Sequence, residues 1–177
     1  MLEIRKATPD DTENVLDFYH AMIDEMHGTN FDVLWKRDVH PSDAFLRESV
    51  EQGFMIIGIA PDGNIASALV IDRTSAPGYE KIPWASDAPD EQVGILHSVA
   101  TRPAYQGNGY AYQLLRASIE LAKEDGLRSL RLDTFVDNER SHGLYAKVGF
   151  IYHGSWPLYY DDLGTIDFDM FEYVIED

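Results

Sequence analysis

The fold is decided by the stretch Val93–Lys123, which has the sequence VGILHSVATRPAYQGNGYAYQLLRASIELAK. It begins with an apolar, partly β-branched run that is short enough to be a buried strand. Pro103 then fixes its own φ and keeps the preceding residue out of the helical region. From Ala111 onward, apolar residues recur at the i, i+3, i+4, i+7 spacing of a helix with one buried face. The stretch therefore predicts a strand, a tight turn and a helix.

The turn of this unit, Gln106–Ala111, has the properties of an anion site. Gly107 and Gly109 lack the Cβ atoms that would keep a ligand away from the backbone, and they allow positive φ. The first turn of the following helix presents N–H groups at the positive end of the helix dipole, an arrangement that suits a diphosphate. The alternative is a simple connecting turn, because short glycine patterns are common.

Two well-known phosphate-binding patterns do not match this loop. It has no Lys-Ser or Lys-Thr pair after the glycines, as a Mg-nucleotide loop would, and it lacks the third glycine of the dinucleotide fingerprint. It resembles instead the Gln/Arg-x-x-Gly-x-Gly/Ala loop of the GCN5-related N-acetyltransferase (GNAT) superfamily. A second segment, Asn138 followed by Leu144–Phe150 (LYAKVGF), is similar to the family's Asn…Leu-Tyr-x-Lys-x-Gly-Phe pattern. The resemblance extends over nearly the whole chain.

Hydrophobic periodicity and turn residues predict an α/β fold with the element order β-α-α-β-β-β-α-β-α-β-β. The resemblance implies the GNAT arrangement, a mixed, mostly antiparallel twisted sheet with helices on both faces, in which the fourth and fifth strands separate to admit the pantetheine arm. The predicted strands are Leu2–Ala7, Phe54–Ala60, Ile65–Ile71, Val93–Ala100, Arg128–Phe135, Phe150–His153 and Phe168–Ile175. The two long loops are predicted to be Asp72–Glu91 and Ser155–Asp162.

The composition of the chain limits the classes of function. Its 177 residues, 45% of them hydrophobic, predict a single domain, residues 1–177. A net charge of −17 disfavours nucleic-acid binding; it suits cationic partners such as amines, although solubility alone accounts for it. The absence of cysteine, of a long apolar run and of a leader favours a cytoplasmic protein that is not attached to a membrane.

The resemblance implies that acetyl-CoA is the co-substrate and that no metal is needed. It places the acetyl carbonyl on the backbone N–H of Val99, the pantetheine near Thr101 and the diphosphate on the amides of the glycine loop. The full set of implied coenzyme-binding residues is Val99, Ala100, Thr101, Gln106, Gly107, Asn108, Gly109, Tyr110, Ala111, Asn138 and Tyr145.

Tyr145 and His97 are the candidate catalytic residues. The family pattern implies that Tyr145 is the general acid for the coenzyme A thiolate, although its place on an apolar helix stripe also fits a core residue. Many family members carry a glutamate base on the central strand, and the corresponding position here is Ile95. His97 follows two residues later, and a histidine ordinarily titrates near pH 6.5, which suits a base. The alternatives are a half-buried, hydrogen-bonded histidine and an ordered-water base.

The acceptor is expected to be a primary amine of a small molecule or a peptide N-terminus. Aromatic residues beside acids suit a cation with some apolar surface. These residues also fit loop packing or a homodimer interface. The candidate acceptor-binding residues are Trp35, Trp84 and Tyr159, with Phe31, Tyr79 and the rest of Trp156–Asp162 nearby in sequence. A non-catalytic module of the same fold that binds acyl-CoA is the alternative function.

Overall fold

The computed structural model describes residues 1–30 and 32–176, so the candidate Phe31 lies outside the described residues. The strands are β1 (Glu3–Lys6), β2 (Met55–Ile59), β3 (Ile65–Asp72), β4 (Val93–Thr101), β5 (Ser129–Phe135), β6 (Ile151–Tyr160) and β7 (Gly164–Val174). The helices are α1 (Thr12–Met26), α2 (Asp43–Glu51), α3 (Tyr110–Glu124) and α4 (Glu139–Val148). Their order along the chain is the predicted one.

The strands hydrogen-bond in the order β1-β2-β3-β4-β5-β7-β6. The pairs β1–β2, β2–β3, β5–β7 and β6–β7 are antiparallel, and β4–β5 is parallel. The β4–β5 register covers three residue pairs and ends at Ile95 and Arg131, before either strand ends. The predicted mixed, mostly antiparallel sheet is therefore confirmed.

The chain divides into two compact units, the first formed by residues 1–71 and 97–118. Its core lies where α1 and α2 pack on β2 and β3, and Tyr19, Leu46 and Ile57 are fully buried there. The hydroxyl of Ser42 accepts a hydrogen bond from the Phe45 amide and caps the start of α2.

The second unit comprises residues 72–96 and 119–177. One of its clusters joins the segment before β4 to the sheet through Tyr79, Val93, Leu158 and Met170. A second group of aromatic rings connects α4 to β7, with Tyr145 and Phe171 at a centroid distance of 5.4 Å.

The prediction of a loop at Ser155–Asp162 is wrong, because most of it belongs to β6. Trp156, Leu158 and Tyr160 point to the more buried side, whereas Ser155, Pro157 and Tyr159 are exposed, so the segment alternates as a strand should. Pro157, which suggested a loop, faces Asp167 on β7, and β6 is the edge strand of the sheet. An edge strand tolerates proline because one side of it has no ladder hydrogen bonds to lose.

The segment between β3 and β4 is irregular, as predicted, apart from single 3₁₀ turns at Tyr79–Lys81 and Asp90–Gln92. It is held to the sheet by the carboxylate of Glu172, which is fully buried on β7. Glu172 accepts hydrogen bonds from the Ala85 amide at 2.6 Å and from the hydroxyl of Ser86 at 2.8 Å. Within residues 1–30 and 32–176, none of the helices is long and apolar enough to cross a membrane.

Candidate active site

In the first unit, β4 carries a backbone irregularity directly before Val99. Ser98 adopts φ 53°, a left-handed conformation that is unfavourable for a residue with a Cβ atom. The hydroxyl of Tyr19 on α1 donates a hydrogen bond of 2.7 Å to the Ser98 carbonyl oxygen, and Tyr19 is fully buried. The turned peptide at Ser98, which sets the direction of the Val99 N–H, is therefore fixed by a tyrosine far away in sequence.

The end of β4 is fixed by Ser67 on β3. The Ser67 hydroxyl donates to the Ala100 carbonyl at 2.8 Å and lies 2.8 Å from the Thr101 hydroxyl. The Arg102 amide donates to the carbonyl of Ala66, which continues the connection to β3. The backbone from Ala100 to Arg102 is thus held by several contacts just before the glycine loop.

The glycine loop has the conformation that the sequence predicts. Gly107 and Gly109 have φ of 82° and 71°, and a Cβ atom built on either would meet nothing within 4 Å. Gly107, Asn108 and Gly109 are exposed, and the 15-residue helix α3 begins at Tyr110. The backbone amides at this helix start are accessible to a ligand, and such amides suit an anion such as a diphosphate.

Side chains around this loop stabilise its position. The Asn108 side chain donates to the Tyr105 carbonyl at 3.0 Å, and the Tyr105 hydroxyl donates to Asp62 at 2.6 Å. Tyr105 and Tyr110 pack beside a small buried cluster that contains Leu2. Gln106 lies close to the Thr101 carbonyl, with its Nε2 at 3.5 Å.

His97 is partly buried on β4, in the same unit as the glycine loop. Its imidazole packs edge-to-face on the ring of Phe45 from α2, with centroids 6.0 Å apart. Ile95, at the position of the usual family carboxylate, is 3% exposed and belongs to the apolar cluster of the second unit. Of these two residues, His97 alone can accept a proton.

In the second unit, Tyr145 is 5% exposed on α4, between the rings of Phe150 and Phe171. Burial raises its pKa well above the ordinary value of 10, and the charge of Asp133 raises it further, against a smaller opposing effect of a hydrogen bond with Ser141. Tyr145 therefore keeps its proton at neutral pH, which is the state that a hydrogen-bond donor or general acid requires.

Asn138 has a structural function that accounts for its position before α4. Its side chain accepts a hydrogen bond from the Ser141 amide at 3.2 Å and caps the helix. At the other end, Gly149 has φ 112° and terminates α4, as the sequence predicts.

A carboxylate that the sequence analysis missed lies on β5 of the same unit. Asp133 Oδ2 accepts hydrogen bonds from the hydroxyl of Tyr79 at 2.6 Å and from that of Tyr160 at 2.9 Å. Burial raises the pKa of both tyrosines, and the charge of Asp133 adds to the effect. In the sequence, Asp133 is noticeable only as a charged residue in a strand that otherwise alternates. This pattern does not identify the two tyrosines as its partners.

The three candidate acceptor residues occupy different environments. Trp35 packs against the core of the first unit. Trp84, in the second unit, donates a hydrogen bond to the Tyr79 carbonyl at 3.0 Å. The guanidinium carbon of Arg131 lies over the Trp84 ring, 4.7 Å from the ring centroid. Tyr159 is 49% exposed on β6. The contacts of Trp35 and Trp84 are those of packing anchors.

Residues 1–30 and 32–176 contain no group of three or more histidine, cysteine, aspartate or glutamate side chains that could hold a metal ion. His20, which the sequence places on one helix with His27, lies 2.7 Å from an Asp43 oxygen.

Solved structures of acetyltransferases share this fold. A GNAT-family acetyltransferase from Streptococcus agalactiae 2603 matches with a TM-score of 0.79 and 22% identity, covering 99% of this chain and 96% of that one. YncA from Salmonella typhimurium, whose structure contains its cofactor acetyl-CoA, matches with a TM-score of 0.69 and 18% identity over 100% and 95% of the two chains.

Sequence comparison gives the same class of protein. The model of the acetyltransferase (GNAT) family matches residues 18–150. A Bacillus subtilis (strain 168) protein provisionally named ribosomal protein bS18-alanine N-acetyltransferase is 30% identical over 141 residues, which are 79% of this chain and 80% of that protein. N-alpha-acetyltransferase 30 of Schizosaccharomyces pombe is 33% identical over 82 residues, covering 46% of this chain and 52% of that protein.

The chain belongs to the GNAT family of acetyltransferases.

Proposed function

We propose that this protein transfers the acetyl group of acetyl-CoA to a primary amine, either of a small molecule or at a peptide N-terminus, by direct attack of the amine on the thioester. The observation that carries the proposal is the exposed loop Gln106–Gly109 with its two left-handed glycines before α3. The names of the relatives from Bacillus subtilis and Schizosaccharomyces pombe, both of them N-acetyltransferases, support amine acetylation and keep a peptide N-terminus among the acceptors.

Coenzyme binding is assigned mainly to backbone groups of the first unit. The amides from Gly107 to Ala111 would bind the diphosphate, and Gln106, Ala100 and Thr101 would flank the coenzyme. The N–H of Val99 would donate to the acetyl carbonyl oxygen as it gains negative charge. The hydrogen bond from Tyr19 to Ser98 supports this assignment, because it fixes the adjoining peptide before substrate binds.

The reaction forms one C–N bond and breaks one C–S bond. An alkylammonium, with a pKa of about 10.4, must first lose a proton, which His97 or an ordered water would accept. The neutral amine then attacks the acetyl carbon, the attacking nitrogen loses its second proton, and the coenzyme A thiolate leaves. Tyr145 would donate a proton to that thiolate and would regain one from solvent before the next turnover.

One observation favours a second candidate function, a module that binds acyl-CoA without turnover. The strand position of the usual family glutamate is the buried, apolar Ile95. Release of coenzyme A thiol from acetyl-CoA across a panel of amines and N-terminal peptides separates the two functions. An acetylated product supports the transferase, whereas tight acetyl-CoA binding without product in any reaction supports the module.

A homodimer and a cytoplasmic location remain predictions.

Substitution of the loop glycine tests the coenzyme assignment. Gly109→Asp should nearly abolish acetyl-CoA binding, measured by calorimetry, because it places a carboxylate against the diphosphate. The fold should survive, since a Cβ atom at Gly109 meets nothing within 4 Å and the strain of a side chain at φ 71° falls on an exposed loop. Gly126→Asp is the matched control, because Gly126 is also exposed, has φ 80° and has equal space. Unchanged affinity in a folded Gly109→Asp protein would refute the assignment.

A further inference from the structure

A buried carboxylate on the side of the sheet that carries α4 has no part in the chemistry described so far. Asp169 on β7 is 4% exposed. Its Oδ1 accepts hydrogen bonds from the hydroxyl of Tyr152 at 3.0 Å and from that of Ser155 on β6. Its Oδ2 lies 3.0 Å from Nε2 of His142 on α4. Because a carboxylate that is removed from water needs such partners, Asp169 is a fixed polar point on this face of the sheet.

The imidazole of His142 is the group that α4 contributes to this cluster. Its Nε2 atom is buried and makes no aligned hydrogen bond with the described residues, so its interaction with Asp169 is an electrostatic contact at close range. Separating a buried polar group from its partner costs about 1–3 kcal/mol. The contact between His142 and Asp169 therefore opposes rotation of α4 away from β7.

His142 and Tyr145 are three residues apart on α4 and pack on the same ring of the sheet. The centroid of Phe171 lies 5.4 Å from that of His142 and 5.4 Å from that of Tyr145. Residues at this spacing are neighbours on one face of a helix. A shift of His142 relative to β7 is therefore transmitted to Tyr145 by the helix backbone and by the shared ring.

The helix that carries both residues has little rigidity of its own in its first half. α4 has ten residues, and its buried residues lie in the second half. Gly143 follows His142 directly, and a glycine inside a helix is about 1 kcal/mol less favourable than alanine. In this half the helix is held by the Asn138 cap and by the contact of His142 with Asp169.

We propose that Asp169 is a positioning residue of the active site, which acts through His142 to fix the rotation of α4 and thereby the place of the Tyr145 hydroxyl. The inference rests on the proposed function, in which that hydroxyl gives a proton to the leaving thiolate. A misplacement of about 1 Å at such a group can cost on the order of a hundredfold in rate, so a contact away from the reacting atoms affects turnover.

Two substitutions of His142 test the contact. His142→Phe keeps a ring on Phe171 and removes the polar interaction, whereas His142→Gln keeps an amide that can donate to Asp169. Where chemistry limits turnover, kcat should fall about ten- to a hundredfold in His142→Phe and stay within about threefold of the wild type in His142→Gln. The dissociation constant of acetyl-CoA, measured by calorimetry, should stay nearly constant in both. An unchanged kcat in His142→Phe, or equal losses in the two variants, would overturn the proposal.

A double-mutant cycle tests whether Asp169 acts through Tyr145. Asp169→Ala should lower kcat as His142→Phe does, and it should cause no further fall in a Tyr145→Phe protein, because there is then no hydroxyl to position. Asp167→Ala, at an exposed position of the same strand, is the matched control and should leave kcat unchanged. If Asp169→Ala does not fold, the same cycle is run with His142→Phe. Losses that add in the double variant would overturn the proposal.

Gly143→Ala separates the position of the helix from its stability. Gly143 is exposed and a Cβ atom there meets nothing within 4 Å, so the substitution should stabilise α4. Added to His142→Phe, it should restore the melting temperature and leave kcat low. Recovery of kcat together with the melting temperature would show that His142 only stabilises the helix, and would overturn the positioning role.

The position of Tyr145 can also be measured without turnover. Crystal structures of the wild-type and His142→Phe proteins, each with coenzyme A, should differ by about 1 Å or more in the place of the Tyr145 hydroxyl, the displacement that a rate loss of this size requires. An unmoved hydroxyl would overturn the proposal. A displaced hydroxyl in a protein that acetylates no amine would refute the proposed transfer reaction and leave the positioning of Tyr145 by His142 and Asp169 intact.

Discussion

Tyr145 is the residue at which packing and catalysis are hardest to separate. Tyr145→Phe keeps the ring contacts with Phe150 and Phe171 and removes only the hydroxyl. Since general acids contribute about 10²–10⁴-fold, we expect kcat to fall within that range while the dissociation constant of acetyl-CoA stays nearly constant. Pre-steady-state kinetics should establish first that chemistry limits turnover. A fall of less than about threefold under those conditions would make Tyr145 a core residue and no catalyst.

His97 is one of the two proposed bases, and its substitution separates it from an ordered water through the pH profile. If His97 is the base, kcat/KM of the wild type should rise with pH as the imidazole loses its proton, because a base must be unprotonated to act. His97→Gln should remove this limb and leave a slower rate that follows the ionisation of the amine itself. Thermal melting must be compared first, since His97 packs on Phe45. A stable variant with the wild-type profile would leave ordered water as the base.

At the scale of elements, the attachment of the segment before β4 to the sheet depends on one buried carboxylate, that of Glu172. Burial opposes the ionisation of Glu172, but its bonds from Ser86, Ser129 and the Ala85 amide, together with Arg131, outweigh burial and lower its pKa. Glu172→Gln removes the charge that compensates Arg131, whose side chain is 12% exposed. Breaking a buried pair costs about 3–5 kcal/mol, and we expect a loss of free energy of unfolding near the lower limit, because glutamine retains some hydrogen bonds.

Hydrogen exchange locates this effect in the chain. In Glu172→Gln the Ala85 amide, which donates to Glu172 at 2.6 Å, should exchange faster than in the wild type. Glu91→Gln makes the same substitution at an exposed position of the same segment and should change neither exchange nor melting temperature. Equal protection of Ala85 in the two variants would show that the segment is held by its apolar contacts alone.

At the scale of the whole molecule, buried tyrosines predict a sharp alkaline limit of stability. Burial raises the pKa of Tyr19, Tyr79, Tyr145 and Tyr160 above the ordinary value of 10. In the unfolded chain they ionise near pH 10 and release protons that the folded state retains. Below about pH 10 the buried tyrosines therefore contribute fully to the stability of the folded state. Above pH 10, each of them lowers the free energy of unfolding by about 1.4 kcal/mol per pH unit.

The absorbance of tyrosinate at 295 nm, followed together with circular dichroism, checks this expectation. As the pH is raised, the exposed tyrosines among the ten should give a gradual rise in absorbance. The absorbance of the buried tyrosines should appear only as the helical signal in circular dichroism is lost. A complete, gradual rise of absorbance in a protein that keeps its helices would contradict the effect of burial.

The sequence alone determined the order of the elements, the conformation of the glycine loop and the termination of α4. These features depend on local rules. Gly107, Gly109 and Gly149 adopt positive φ, which favours glycine wherever it occurs, and the spacing of apolar residues follows from the period of the helix or strand itself. The prediction failed for the length of β6, because Pro157 excludes a central strand but is tolerated at an edge, and edge position is not a local property.

Only the tertiary structure decided the geometry of the candidate site. Ser98 carries no sequence signal for its left-handed conformation, and the hydroxyl that holds it belongs to Tyr19, 79 residues away. Asp133 acquires its hydrogen-bond partners Tyr79 and Tyr160 from 54 and 27 residues away. Such pairs are created when the sheet and its loops pack, because hydrogen bonds between distant residues depend on their distance in space and carry no period along the chain.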